Sequence, residues 1–175
     1  MNFKQILCSI VLTAAAFGQI QSAQRLVGKK APEFSAPALF PDGTVGTFNL
    51  KDYAGKKVVL YFYPVDNTPG CTKQAQNFRD GIAKLYDKDI TLIGISCDSI
   101  QSHKRFQEKH HLPFPLVSDS RLHRGIAKKY GVVSFFCCKR RTFLIDEKGI
   151  IFKAFDKVTI ETQIDDILKA YAAHK

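Results

Sequence analysis

Tyr61-Phe62-Tyr63-Pro64-Val65-Asp66-Asn67-Thr68-Pro69-Gly70-Cys71-Thr72 carries the chain from an apolar run, through a turn, into a helix. Val58 to Tyr63 is apolar without a break and rich in β-branched and aromatic residues. That is the pattern of a central parallel strand buried on both faces. Beyond the turn, Ala75, Phe78, Ile82 and Leu85 recur on one helical stripe that also contains Cys71. The reading is strand, tight turn, helix, with a thiol in the first helical turn. Unpaired backbone N–H groups and the positive end of the helix dipole favour a thiolate there. The core-facing stripe makes Cys71 partly shielded, reached from a shallow pocket.

Outward from this stretch, apolar runs and helical periods alternate. Val27 to Phe34 reads as an extended arm anchored by Phe34. Thr44 to Leu50 reads as a strand after the Pro41-Asp42-Gly43 turn. Ile90 to Cys97 is a second buried strand, and Asp98-Ser99 can cap a helix from Ile100 to about His110. Phe114 to Val117 is a short strand. Leu122, Ile126 and Tyr130 mark a helix stopped by Gly131. Thr142–Ile145 and Ile150–Phe155 form a hairpin, and Ile160, Ile164, Ile167, Leu168 and Tyr171 a closing amphipathic helix. The expected class is α/β, a mixed sheet flanked by helices.

The 175 residues suit one domain, and 45% hydrophobic with 24% charged residues is a globular composition. The net charge of +10 invites a nucleic-acid partner. Its lysines and arginines are dispersed, however, and Lys139-Arg140-Arg141 is the densest cluster, so no nucleic acid is expected. Met1 to Ala23 has the layout of a secretory signal peptide, with one early lysine and an apolar run from Ile6 to Phe17. Cleavage is expected after Gly18 or Ala23, leaving 24–175 as the single domain. The run is too short to span a membrane comfortably, so no membrane association is expected after cleavage. Export, with the periplasm as the first expectation, would leave Cys71, Cys97, Cys137 and Cys138. Four cysteines are too few for a disulfide framework, and no Cys-x-x-Cys is present. Cys97, ending a strand, is expected in the core. His103, His110, His111, His123 and His174 lack ligand spacing and are expected on the surface, with no metal bound.

Pro64-x-x-x-Thr68-x-x-Cys71 resembles the peroxiredoxin active-site pattern. Thr68-Pro69-Gly70-Cys71-Thr72 resembles the peroxiredoxin-Q, or bacterioferritin-comigratory-protein, branch. The resemblance runs from about Val27 to Ala172 and includes Arg140, three residues before Phe143. It implies a thioredoxin-like fold and a thiol peroxidase acting on hydrogen peroxide and organic hydroperoxides without a cofactor. A thioredoxin-like or other thiol reductant would supply electrons. Cys71 would attack the peroxide and become a sulfenic acid. The Thr68 hydroxyl and the N–H groups of Gly70 and Cys71 would hold the peroxide oxygens. Arg140 would favour the thiolate and orient the peroxide, and Pro64 would shape and shield the turn.

Two departures stand out. Gln74 replaces the acid common three residues after the reactive cysteine, and Gln76 replaces a second cysteine. The Leu122–Tyr130 segment has no cysteine either. Cys138, two residues before Arg140, or else Cys137, is the candidate resolving thiol, with Cys97 a weaker one. A one-cysteine cycle with an outside thiol is the rival. A thioredoxin-fold binding or chaperone module, or an envelope thiol–disulfide reductase, are the alternatives of other classes. The reductase lacks the Cys-x-x-Cys it would need. A monomer is expected, since no exposed apolar segment demands a partner.

Overall fold

The computed structural model describes residues 23–119, 122, 124–135 and 138–174. The apolar runs become strands and the helical periods become helices. A short 3-10 turn, Ala23–Leu26, leads to β1 (Ser35–Leu39) and β2 (Val45–Asn49). Then follow β3 (Lys57–Phe62), α1 (Pro69–Tyr86), β4 (Ile90–Ser96), α2 (Ile100–His110) and β5 (Leu116–Ser118). A short helix α3 (Gly125–Tyr130), the hairpin β6 (Arg141–Ile145) and β7 (Ile151–Phe155), and α4 (Gln163–Ala173) complete the described chain. The strands form one mixed sheet in the order β2-β1-β5-β4-β3-β6-β7. β3 lies near its middle, parallel to β4 and antiparallel to β6.

The sheet divides the core in two, and β3 contributes to both halves by simple alternation. Val58, Leu60 and Phe62 pack with Phe34, Phe48, Tyr130 and Phe143 on one face. Val59, Tyr61 and Tyr63 pack with Phe78, Phe106, Phe114 and Ile167 on the other. The second face is covered by α1, whose buried residues include Cys71, Ala75, Phe78 and Leu85, the stripe expected from the period.

Several expectations need correction. Ser35–Leu39, just beyond the expected arm, is a strand that the sequence did not announce, because Pro37 and the small residues around it hide the period. Pro37 is tolerated because the pairing of β1 with β5 covers only Ala38 and Leu39. Leu122 is exposed, since the helix begins only at Gly125. Ile160 precedes α4 instead of belonging to it. His103 and His110 are buried, not on the surface. They share the inward face of α2 with Phe106 and Gln107, so that face is half polar and gives a weak apolar signal. Burial holds the His110 imidazole below its ordinary range, with Lys109 and Arg79 adding to the effect. His123 lies outside the described residues.

Gly94, in the middle of β4, makes room for the Tyr61 ring. A Cβ there would sit 2.8 Å from the Tyr61 hydroxyl oxygen and 2.9 Å from Leu116 Cδ2. Both neighbours are fully buried. Gly94→Ala is therefore expected to destabilise the fold by about 1–3 kcal/mol through overpacking. A urea melt with an unchanged midpoint would contradict this.

Candidate active site

β3 ends at Phe62, and Tyr63 still bonds across to β4 through its N–H to the Ile95 carbonyl (3.1 Å). Pro64 then turns the chain off the sheet. Asn67 adopts φ 58, a left-handed conformation that asparagine tolerates well. Thr68 is the N-cap of α1 and Pro69 its first helical residue, a favoured position for proline. The first helical hydrogen bond runs from the Thr72 N–H to the Thr68 carbonyl (2.8 Å). The N–H groups of Gly70 and Cys71 therefore remain at the open end of the helix, beside the sulfur. Cys71 is 2% exposed.

The structure brings Arg140 to Cys71. Its Nη2 donates to Cys71 Sγ at 3.3 Å, and its Nη1 donates to Gln74 Oε1. Gly70 lets the guanidinium lie close over the helix end, since a Cβ there would be 3.4 Å from Nη2. The neighbouring Arg141 points elsewhere, to Asp156 at 2.8 Å, while Lys139 is exposed. Pro64 is half-buried where the chain leaves β3. The Thr68 hydroxyl donates to the Val65 carbonyl at 3.0 Å. Its hydrogen thus closes the turn, and its oxygen retains lone pairs that can accept a hydrogen bond.

The sequence did not disclose the buried polar cluster beneath this loop. Asp66 accepts from the Tyr63 hydroxyl (2.8 Å) and pairs with His103 Nδ1 (3.0 Å). Its N–H donates to Asp98 Oδ2 (2.9 Å), which also accepts from the Ser96 hydroxyl (2.7 Å). Burial, followed by the Asp66 carboxylate, holds the Tyr63 phenol well above its usual range, so it stays a donor. The cluster ties the loop carrying Thr68 and Cys71 to the ends of β3 and β4 and to α2.

Cys138 is not brought to Cys71 in the way alternation suggested. β6 starts only at Arg141, and Cys138 instead forms an isolated bridge with Val133. It packs with Phe62, Ile95 and Cys97 on the face of the sheet opposite the Cys71 cluster. Its sulfur donates to the Tyr63 carbonyl at 3.0 Å. Burial, then the Asp119 and Asp98 carboxylates, push the Cys138 thiol well above its usual range. Cys137 lies outside the described residues. Cys97 is buried, as expected. No cluster fit to hold a metal ion occurs among the described residues.

Residues 27–154 match the model of the AhpC/TSA family. The chain belongs to that family. It is 36% identical over 154 residues to the peroxiredoxin Bcp of Bacillus subtilis, covering 82% of this chain and 92% of that protein. It is 36% identical over 163 residues to the chloroplastic peroxiredoxin Q of Populus jackii, covering 90% and 76% respectively. Among solved structures, peroxiredoxin Q of Xanthomonas campestris superposes with a TM-score of 0.70 at 32% identity, covering 79% of this chain and 90% of that one. This AhpC/TSA member is a peroxiredoxin of the Bcp and Q kind, a thiol-dependent peroxidase and hence an oxidoreductase.

Proposed function

We propose that the chain reduces hydrogen peroxide and organic hydroperoxides by a one-cysteine cycle, as an exported, membrane-free monomer supplied with electrons by an outside thiol. The observation that carries the cycle is the split between the cysteines: Arg140 lies on Cys71, whereas Cys138 packs across the sheet as a protonated, hydrogen-bonded thiol. A structure of the Xanthomonas campestris bacterioferritin comigratory protein, 31% identical and with a TM-score of 0.70, concerns alkyl peroxide reduction. That likeness supports the organic substrates.

In the first step the Cys71 thiolate attacks one peroxide oxygen. The S–O bond forms as the O–O bond breaks, and the leaving oxygen takes a proton to become water or an alcohol. Sulfur is oxidised by two electrons. The N–H groups of Gly70 and Cys71 and the Arg140 guanidinium meet the charge that builds on the oxygens. The Thr68 oxygen accepts the hydroperoxide O–H and so fixes which oxygen is attacked. Pro64 closes the loop over the sulfur. An outside thiol then attacks the sulfenic sulfur, water leaves, and a mixed disulfide forms. A second thiol of the reductant, as in a thioredoxin-like dithiol, releases Cys71 reduced.

Ala23 is fully buried, and its N–H donates to Asp156 Oδ1 at 3.1 Å. This favours the upstream of the two cleavage points, after Gly18. The test of the cycle is intact mass with peptide mapping, before and after one equivalent of hydrogen peroxide, with Cys71→Ser as control. Gain of one oxygen at Cys71, erased by adding a dithiol, is expected. Loss of two hydrogens with a Cys71-linked disulfide peptide would overturn the one-cysteine cycle and name the resolving partner.

A further inference from the structure

We infer that Gln163, at the start of α4, is a positioning residue of the peroxidase site. It acts through Gln74 to hold the Arg140 guanidinium over Cys71 without neutralising it. The inference rests on the Cys71–Arg140 reading of the site.

Four polar side chains form a one-way chain of hydrogen bonds. Arg140 can only donate, and it donates to Gln74 Oε1. The Gln74 amide nitrogen must then face outward, and it donates to Gln163 Oε1 at 2.7 Å. Gln163 Nε2 in turn donates to Thr142 Oγ1 at 2.7 Å. Gln74, Gln163 and Thr142 are all buried, at 1%, 5% and 0% exposure. No bulk solvent is available to replace a lost partner, so each amide is fixed by the next.

The chemistry of position 74 gives the arrangement its meaning. A carboxylate at position 74 would hold Arg140 by an ion pair, but its charge would oppose the thiolate beside it. The neutral amide avoids that opposition but holds the guanidinium less firmly, because the bond lacks a charged acceptor. Gln163 makes up for this by locking the Gln74 rotamer and the orientation of its amide. The helix α4 is thereby tied to the catalytic arginine, although Gln163 touches neither Arg140 nor Cys71 in any described hydrogen bond.

The geometry also accommodates the alternative. In a Gln74→Glu variant the Gln163 amide could turn over, donating to the new carboxylate and accepting from the Thr142 hydroxyl. Gln74→Glu therefore changes charge with little change in shape. With that ion pair present, the hold on Arg140 no longer depends on Gln163.

The test is a double-mutant cycle on the full protein, using Gln163→Met, which is close to isosteric, with and without Gln74→Glu. Two readouts are taken: the second-order rate with hydrogen peroxide, and the pH profile of Cys71 alkylation by iodoacetamide, which needs no peroxide. Gln163→Met alone is expected to slow the peroxide reaction about 10- to 100-fold, the scale of a misplaced catalytic group. It should also move the alkylation profile to higher pH. In the Gln74→Glu background the same replacement should cost less than about threefold, since the ion pair now positions Arg140. Thr142→Val, which keeps volume, should act in the same direction as Gln163→Met but more weakly. Equal losses in both backgrounds would reduce Gln163 to a packing residue and overturn the inference. So would a Gln163→Met protein with the parent rate and alkylation profile. Loss of alkylation in every variant and in the parent would instead show that the Cys71 reading itself fails.

Discussion

Replacing Arg140 by Met should slow the reaction with hydrogen peroxide by about 10²–10³-fold, the effect of removing one preorganised donor from a site of charge development. The guanidinium is the only side-chain donor described on Cys71 Sγ, at 3.3 Å. In the reaction, charge leaves sulfur for the departing oxygen, and a cation fixed between them serves both ends. Arg140→Lys should recover only part of the loss. A lysine lacks the planar fork that places one nitrogen on Gln74 and another on the sulfur. Stopped-flow rates at several pH values, beside thermal melts of each variant, make the measurement. An Arg140→Met protein that melts like the parent and reacts within about threefold of it would remove Arg140 from the mechanism. The fold should tolerate the change, since Arg140 lies outside β6 and contributes no apolar surface to either half of the core.

The parts of this site legible in the sequence are those written in local patterns. The strand–turn–helix unit showed itself because β3 is continuously apolar and α1 keeps a helical stripe through Leu85. The arginine was legible because the family register separates Arg140 from Lys139 and Arg141, and the structure points Arg141 away to Asp156. The hidden parts depend on partners remote in the chain. Gln163 meets Gln74 across 89 positions, and His103 meets Asp66 across 37. A lone glutamine at a helix start, or a histidine on a charged helix, carries no local mark of such pairing. Cys138 sits differently from the expected extended register. Strand alternation is a rule for strands, and residues 138–140 precede β6. Leu122 failed likewise, its apparent helical period ending before a helix that begins at Gly125.

The second large effect belongs to the polar cluster under the catalytic loop. His103→Leu should destabilise the protein by about 1–3 kcal/mol, because it removes a hydrogen-bond partner from the buried Asp66 carboxyl group. The Asp66 side chain is 1% exposed and that of His103 is 0% exposed. The imidazole also reaches the Val117 carbonyl through Nε2 at 3.3 Å, so both ring nitrogens face oxygen acceptors. Leucine matches the volume but offers no polar partner, and the Tyr63 hydroxyl and the Asp66 backbone contact do not replace the lost one. Urea unfolding should show the loss as a lower midpoint with little change in slope. The double variant His103→Leu with Asp66→Asn should regain much of it, since the carboxylate is gone. A cluster that served packing alone would give losses that simply add, and that result would refute the hydrogen-bond account. The variants also bear on activity. Asp66 sits between Pro64 and Thr68, so an unanchored Asp66 should let the loop open and expose Cys71. Faster alkylation by a bulky maleimide, alongside slower peroxide reduction, is the signature expected of that opening. It would show that the buried pair holds the closed loop on which peroxide chemistry depends.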